Sequence, residues 1–498
     1  MANKAGTRSA WSRLDPAALR RTGAQARAGA SARVSEVRGF LRKPLASFYL
    51  VLMLTAALVA FGLVMMASAS AVDSMVTFGS PYYLFTRQLI FVGMGIAALV
   101  VALRMRLQTL RRLSPMMMIV SMVLLALVLV PGIGVEIYGA RRWFDLGITL
   151  FQPSEFGKVA FLIWGAHVLV QRKKLLDTWG GLLKPILPGL AILAGLIVIE
   201  PDLHTTVVYL IIFLALLWVV GTPMRLFGLL GIGAVCVGVI AIASQGFRLT
   251  RVTSFLNPWS DPEGAGHQAL QGFYALGTGG LFGVGLGNSR TKWGALPNSH
   301  SDYIFAIIGE ELGMVGALTV LALFVALAYT GMRIAHRTSD LFIRLVSSAT
   351  VVWLCAQALI NVGYVVGLLP VTGITLPLIS SGGTSLVVTM FAMGVLASCA
   401  RHEPAAVRYL QTRRRRFGRL LSLPVPASPT VTMGREPAPR RTSPSTARRT
   451  PAKKTTSARS GSSQRRAPAR SAPPRRRPAA RTSQSGAKGR STKGRRAS

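Results

Sequence analysis

The 498-residue sequence predicts an all-α polytopic membrane protein with about ten transmembrane helices, both termini in the cytoplasm and disordered basic tails. Three observations carry this. Half of the residues are hydrophobic (51%) and only 15% are charged, below the ~25% of soluble domains. Apolar runs of bilayer-spanning length recur. The formal net charge is nevertheless +40, so greasy and basic segments must be separate.

The separation is visible. From Arg401 to Ser498 there are 27 Lys and Arg against two acids, Glu403 and Glu436. Apolar runs cover 47–69, 87–103, 114–132, 155–171, 184–200, 204–221, 226–244, 312–332, 343–366 and 383–400. The first follows 45 polar residues and is too long for a signal-peptide core, so it is expected to remain as a helix. Alternate connections are rich in Lys and Arg: Arg104 to Arg112, Arg172 to Lys174, Arg225, and Arg333 to Arg344. The positive-inside rule puts these and both ends in the cytoplasm. The three cysteines, Cys236, Cys355 and Cys399, fall in or at the ends of spans and imply no disulfide framework.

Three regions follow: a disordered basic segment 1–45, a membrane domain 46–400 with a large outward loop 245–302, and a disordered basic tail 401–498. The loop is glycine-rich, and long ordered loops are usually functional. After Leu423 the chain is rich in Pro, Ser, Thr and Arg and cannot build a core. Its charge should draw it to anionic lipids of the inner leaflet; no nucleic-acid partner is expected.

Polar residues at membrane depth need a reason. Arg141 and Arg142 stand in the second outward-side connection, between the third and fourth apolar runs, followed by Gln152-Pro153-Ser154-Glu155-Phe156-Gly157-Lys158. Glu155 and Lys158, three apart, share a helix face. The plain alternative is a helix start in which Lys158 snorkels to the surface. Glu200-Pro201-Asp202-Leu203-His204 reads as a Pro-Asp turn with an interfacial histidine. The densest cluster runs from Pro297 through His300 and Asp302 to Glu310 and Glu311. Asp302 precedes the apolar run as an N-cap would, and a helix N-terminus favours the ionised carboxylate that a general base needs. Because 312–332 already suffices to span, Tyr303–Gly309 is open to being an interfacial or re-entrant helix. Asn361 to Ser385, interrupted by Pro and Gly, reads as a re-entrant turn lining a polar cavity. No second His or Cys stands at metal-ligand spacing. No cofactor is implied, and divalent-metal dependence is left open.

These blocks resemble the SEDS family (shape, elongation, division and sporulation; FtsW, RodA and SpoVE) over roughly residues 45–400. The carriers are Gly139-Ala140-Arg141-Arg142-Trp143 with Gln152-Pro153-Ser154-Glu155, the stretch from Gly264 to Gly313, and Asn361 to Gly383. Pro297 to Asp302 and Pro377 to Gly383, with the basic tail, are most similar to the actinobacterial FtsW branch. His204 and His267 depart from the glycine and tyrosine usual there.

The resemblance implies an inverting peptidoglycan glycosyltransferase that polymerises lipid II, with Asp302 as general base. Arg142 and Lys158 are the first candidates to stabilise the leaving pyrophosphate, and Lys292 and Arg141 follow. Glu155, His300, Glu310 and Glu311 would line or organise the cavity. It further implies a class B penicillin-binding transpeptidase as partner, the nascent glycan strand as second substrate, and divisome proteins such as FtsZ at the tail. A lipid II flippase, a non-catalytic divisome scaffold and a RodA-like elongation polymerase are the alternatives.

Overall fold

The computed structural model describes residues 35–412 apart from 37, 138, 148, 173–178, 244–245, 265, 294–295 and 298. The described residues belong to one compact unit spanning residues 1–429. The segment before residue 35 and the tail beyond Thr412 lie outside the described residues, as does the second unit, 430–498.

Each apolar run coincides with a helix. These are α1 (Ala46–Ala69), α3 (Tyr83–Arg104), α4 (Leu107–Val128), α5 (Pro153–Gln171), α6 (Trp179–Ile199), α7 (Leu203–Val220), α8 (Met224–Ala243), α11 (Ile304–Arg337), α12 (Leu341–Val365) and α13 (Gly383–Ala400). A short helix, α2 (Ala71–Phe78), joins the first two. Seven of the ten long helices suffice by length and composition to cross a bilayer, while α6 and α8 carry the shorter apolar stretches Leu183–Ile199 and Met224–Val239. Large apolar side chains stay bare on several of them, among them Met116 and Ile119 on α4 and Ile232 and Val235 on α8. Such a surface matches hydrocarbon rather than water, and the chain is a multi-pass membrane protein.

Small residues set the closest approaches. A Cβ on Gly394 of α13 would lie 2.6 Å from the Leu99 carbonyl of α3. One on Gly62 of α1 would lie 2.7 Å from the Ile379 backbone. Where no hydrophobic force favours helix–helix over helix–lipid contact, such close packing supplies the association.

Three features differ from the sequence expectation. The connection after α4 is a three-stranded antiparallel sheet, β1 (Gly134–Ile137), β2 (Ala140–Asp145) and β3 (Leu150–Phe151), in the order β1-β2-β3. The loop 245–302 holds two helices, α9 (Gly246–Leu256) and α10 (His267–Gly279). Order also continues past residue 400 into α14 (Pro404–Thr412), which buries Ala406 and Val407. The boundary drawn at 401 is therefore too early.

Helix α11 has 34 residues, about 51 Å of helix against a ~30 Å hydrocarbon core. It is broken at Gly313, with φ 66° and ψ −162°, which separates Ile304–Leu312 from the spanning part. The glycine-rich chain after α10 repairs the break. Val284 and Gly285 donate to the Glu310 and Glu311 carbonyls at 2.9 and 3.0 Å, and Met314 donates to Gly280 O at 3.0 Å. A Cβ on Gly283 would stand 2.2 Å from Glu311 O, so only glycine fits.

Candidate active site

A cavity of about 1310 Å³ opens at the end of the bundle that carries the sheet. Its wall is assembled from β2, the start of α5, the 201–208 segment, α9, the 297–302 segment and the 370–385 turn. Asp302, His300, Arg142, Glu155 and Lys158 all line it.

Asp302 is held through its backbone. Asn361 Nδ2 and Tyr364 Oη donate to its carbonyl at 2.9 and 2.7 Å, and the same two groups hold Ile374 O at 2.7 and 2.9 Å. The Asn361–Ser385 stretch thus cradles the aspartate instead of merely reversing the chain. Gly373, at φ 75°, lets this turn approach: a Cβ there would lie 3.3 Å from Asp302 Oδ2. Asp302 is not the helix cap. Helix α11 begins at Ile304, and its N-cap, Tyr303, makes no side-chain cap bond. Burial pushes the Asp302 carboxyl up to about 6, against the opposing pull of Ser301, His204 and Arg251.

Lys158 Nζ lies 2.8 Å from Glu155 Oε1, and its side chain is 2% exposed. It sits 5.4 Å from the centre of the Trp353 ring. It is a buried ion-paired cation, so the snorkelling alternative does not hold. Gln152 is the N-cap and Pro153 opens the helix. A Cβ on Gly157 would meet Tyr209 Oη at 2.2 Å, the hydroxyl that donates to Ser154 O.

Arg142 ties β2 to the turn before α7, through Nε to Glu200 O at 3.0 Å and Nη2 to Pro201 O at 2.6 Å. Arg141 is its neighbour on the strand and pairs instead with Glu136 at 3.0 Å, both half-exposed. Arg141 does not line the cavity.

Lys292, Glu310 and Glu311 form a separate buried cluster. Lys292 Nζ lies 3.3 Å from Glu311 Oε1 and donates to Gly287 O at 2.5 Å. Ser68 of α1 donates to Glu311 Oε1 at 2.6 Å, and Ser289 and Arg290 N serve Glu310 at 2.6 and 2.8 Å. These groups fasten the 287–292 loop to α1 and to the first part of α11, behind the cavity.

The sequence reading did not single out Arg251 and Arg87, which also line the cavity. Arg251 stands on α9, far from every motif, and its only signal was an arginine in an amphipathic stretch of the outward loop. His204 and Asp202, read as a turn, belong to the site as well. His204 lines the cavity, and its Nε2 lies 3.0 Å from Oδ1 of the wholly buried Asp202. In full charges, the wall sets Arg87, Arg142, Lys158 and Arg251 against Glu155 and Asp302. An excess of cations around a recessed carboxylate suits an anionic substrate that must also surrender a proton.

The fold and the cavity define a helical multi-pass membrane protein with a polar, carboxylate-bearing chamber at one end. A family profile for FtsW, RodA and SpoVE, described as "Cell cycle protein", matches residues 48–405. The chain belongs to this family.

It is 47% identical over 389 residues to the "Probable peptidoglycan glycosyltransferase FtsW" of Mycobacterium tuberculosis, covering 78% of this chain and 74% of that protein. It is 39% identical over 355 residues to "Stage V sporulation protein E" of Bacillus subtilis, covering 71% and 97%. Among solved structures, it is similar to a chain of a complex described as "Structural coordination of polymerization and crosslinking by a peptidoglycan synthase complex". That match has a TM-score of 0.59 and 29% identity over 71% of this chain and 97% of the other. Thermus thermophilus RodA matches with a TM-score of 0.52 and 28% identity over 71% and 96%.

Proposed function

We propose that this protein is a peptidoglycan glycosyltransferase that polymerises lipid II into glycan strands during cell division, with Asp302 as general base. The observation that carries the assignment is Asp302 recessed in the cation-lined cavity. The acceptor sugar's 4-hydroxyl attacks the donor's anomeric carbon while Asp302 takes its proton. The C–O bond to the diphosphate breaks, and its electron pair leaves with the phosphate. Attack opposite the leaving group inverts the anomeric centre.

Arg142 and Lys158 supply fixed positive charge for that leaving group. Arg142 is anchored by two carbonyls, and Lys158 is partly neutralised by Glu155. Arg251 and Arg87 therefore add to the two. A guanidinium grips phosphate through paired donors, whereas an ammonium acts as a point charge. His300 and Glu155 complete the wall. Lys292, Glu310 and Glu311 hold the 287–292 loop behind it, and Arg141, paired with Glu136, takes no part in the wall.

The charge rule orients this end outward and both termini inward. The tail then serves recruitment, to anionic lipid and to acidic divisome partners such as FtsZ. A class B penicillin-binding transpeptidase is the partner in crosslinking, supported by the similarity to a chain of a peptidoglycan synthase complex. The 47% identity to a protein named FtsW favours the septum over elongation. The test is polymerisation of labelled lipid II by the purified protein, with and without the transpeptidase. Asp302→Asn should insert normally and make almost no polymer. Wild-type polymer from a folded Asp302→Asn protein would sink the assignment; a flippase needs no general base, so lipid II transport that survives the substitution while polymerisation is lost would mark transport as a separate activity of the protein.

A further inference from the structure

The coupling step leaves one diphosphate on the joined strand, the acceptor's own, at the end that reacts next. Every sugar behind that end carries none. The strand therefore calls for a cation-poor site beside the cation-lined chamber, and a second cavity stands there.

This cavity, of about 650 Å³, lies between α9, α10 and the chain that follows α12. Its size falls within the ~300–1,000 Å³ of ligand pockets. It adjoins the first cavity, because Arg251, Pro297 and Val371 face both. In full charges it sets Arg251 against Glu263, where the first sets four cations against two carboxylates. Its wall mixes the rings of Phe255, Phe273 and Tyr364 with the neutral polar groups of Thr250, Ser254 and Gln268. An exposed aromatic pair stands beside it. Trp259 and Tyr274, next in sequence to the lining Pro258 and Phe273, meet edge to face at 6.3 Å and are 61% and 49% exposed. A sugar ring has apolar C–H faces and a rim of hydroxyls, and this wall offers a surface to each. A diphosphate would find too few cations here, and a polyprenyl tail would bury polar groups without partners.

The cavity is tied to the catalytic segment by two hydrogen bonds. Gln268 Nε2 of α10 donates to Pro297 O at 3.1 Å, at the start of the segment that ends on Asp302. Tyr364 lines the second cavity and donates its hydroxyl to Asp302 O at 2.7 Å. Phe273 packs over Gly367, whose φ is 77°; a Cβ there would lie 2.6 Å from the ring. A ligand in this cavity thus meets the side chains that position Asp302.

We propose that the second cavity holds the saccharide of the growing strand, behind the sugar that reacts, a role that rests on the protein being the polymerase described above. The strand is retained there between couplings while its diphosphate end returns to the first cavity.

The test has two arms, both on purified full-length protein. The variants are Ala269→Trp, which fills the cavity, and Phe255→Ala, which removes one half-buried ring and guards against a misfolded tryptophan variant. The binding probe is a peptide-free tetrasaccharide of alternating N-acetylglucosamine and N-acetylmuramic acid, with no lipid or diphosphate. It should bind wild type, bind each variant about ten-fold more weakly, and resist displacement by inorganic diphosphate. In polymerisation of labelled lipid II, the ratio of long polymer to first coupled product should fall by about ten-fold in both variants. Equal tetrasaccharide binding to all three proteins, no binding to wild type, or displacement by diphosphate overturns the site. A raised KM for lipid II with unchanged strand length would make the cavity an acceptor site and overturns the strand assignment. A wild-type protein that makes no polymer overturns the polymerase reading instead, and the binding arm still decides whether the cavity takes saccharide.

Discussion

Lys158 and Glu155 close a 2.8 Å ion pair within one helical turn, with side chains 2% and 9% exposed. Removing one partner of a buried pair leaves the other charge uncompensated, which costs about 3–5 kcal/mol. Lys158→Ala and Glu155→Gln should each lower the thermal midpoint in detergent by several degrees. The double variant Glu155→Gln with Lys158→Met should recover much of it, because no unpaired charge is left. Single variants as stable as wild type would show that water reaches the pair.

Activity should depend on pH through Asp302. Burial raises its carboxyl to about 6, and only the ionised form can take a proton. The acid limb of kcat/KM should therefore rise through about pH 6, not through the ordinary carboxylate range near 4. A profile flat from pH 5 to 7 would contradict this. His300, which burial lowers against the pull of Asp73, should be neutral across the plateau.

Tyr364→Phe removes the hydroxyl that donates to the carbonyls of Asp302 and Ile374. Buried hydrogen bonds of this kind are worth about 1 kcal/mol each, and more when a carbonyl is left unpaired. The expected result is a loss of kcat with lipid II affinity little changed, since Asp302 moves while the cationic wall stays. A loss confined to affinity would place Tyr364 in substrate binding.

Gly283→Ala should weaken the repair of the α11 break. A Cβ there would stand 2.2 Å from Glu311 O, at φ 80°, a combination that costs about 1–3 kcal/mol. The 280–292 loop should become more sensitive to proteolysis than the spans. Equal protection in wild type and variant would show that the loop is held elsewhere, through Lys292 and Glu310.

Truncation after Leu423 should leave polymerisation by purified protein unchanged and reduce binding to anionic vesicles. Each basic residue near such a surface contributes about 1 kcal/mol, less with added salt. Loss of catalysis without unfolding would show that the tail serves the active site.

The spans were legible in the sequence because membrane insertion depends on apolar length, a local property. Each of the ten runs became a helix. The separate first part of α11 was legible too, because the apolar stretch was too long for one crossing. The membership of the cavity was not. Arg141 and Arg142 are adjacent letters, but on β2 successive side chains face opposite sides. One reaches the cavity and the other pairs across the strand with Glu136. Lys292 and Glu311 are near Asp302 in sequence, yet the break at Gly313 and the glycine wrap fold them into a buried latch. Arg251, with no motif of its own, and His204, read only as the interfacial end of a turn, both stand on the cavity wall. The sequence by itself determined the helices, the charge separation and the motif blocks. Which charges share one chamber was decided by tertiary structure, since strand alternation, a helix break and helix packing set distances that sequence separation does not encode.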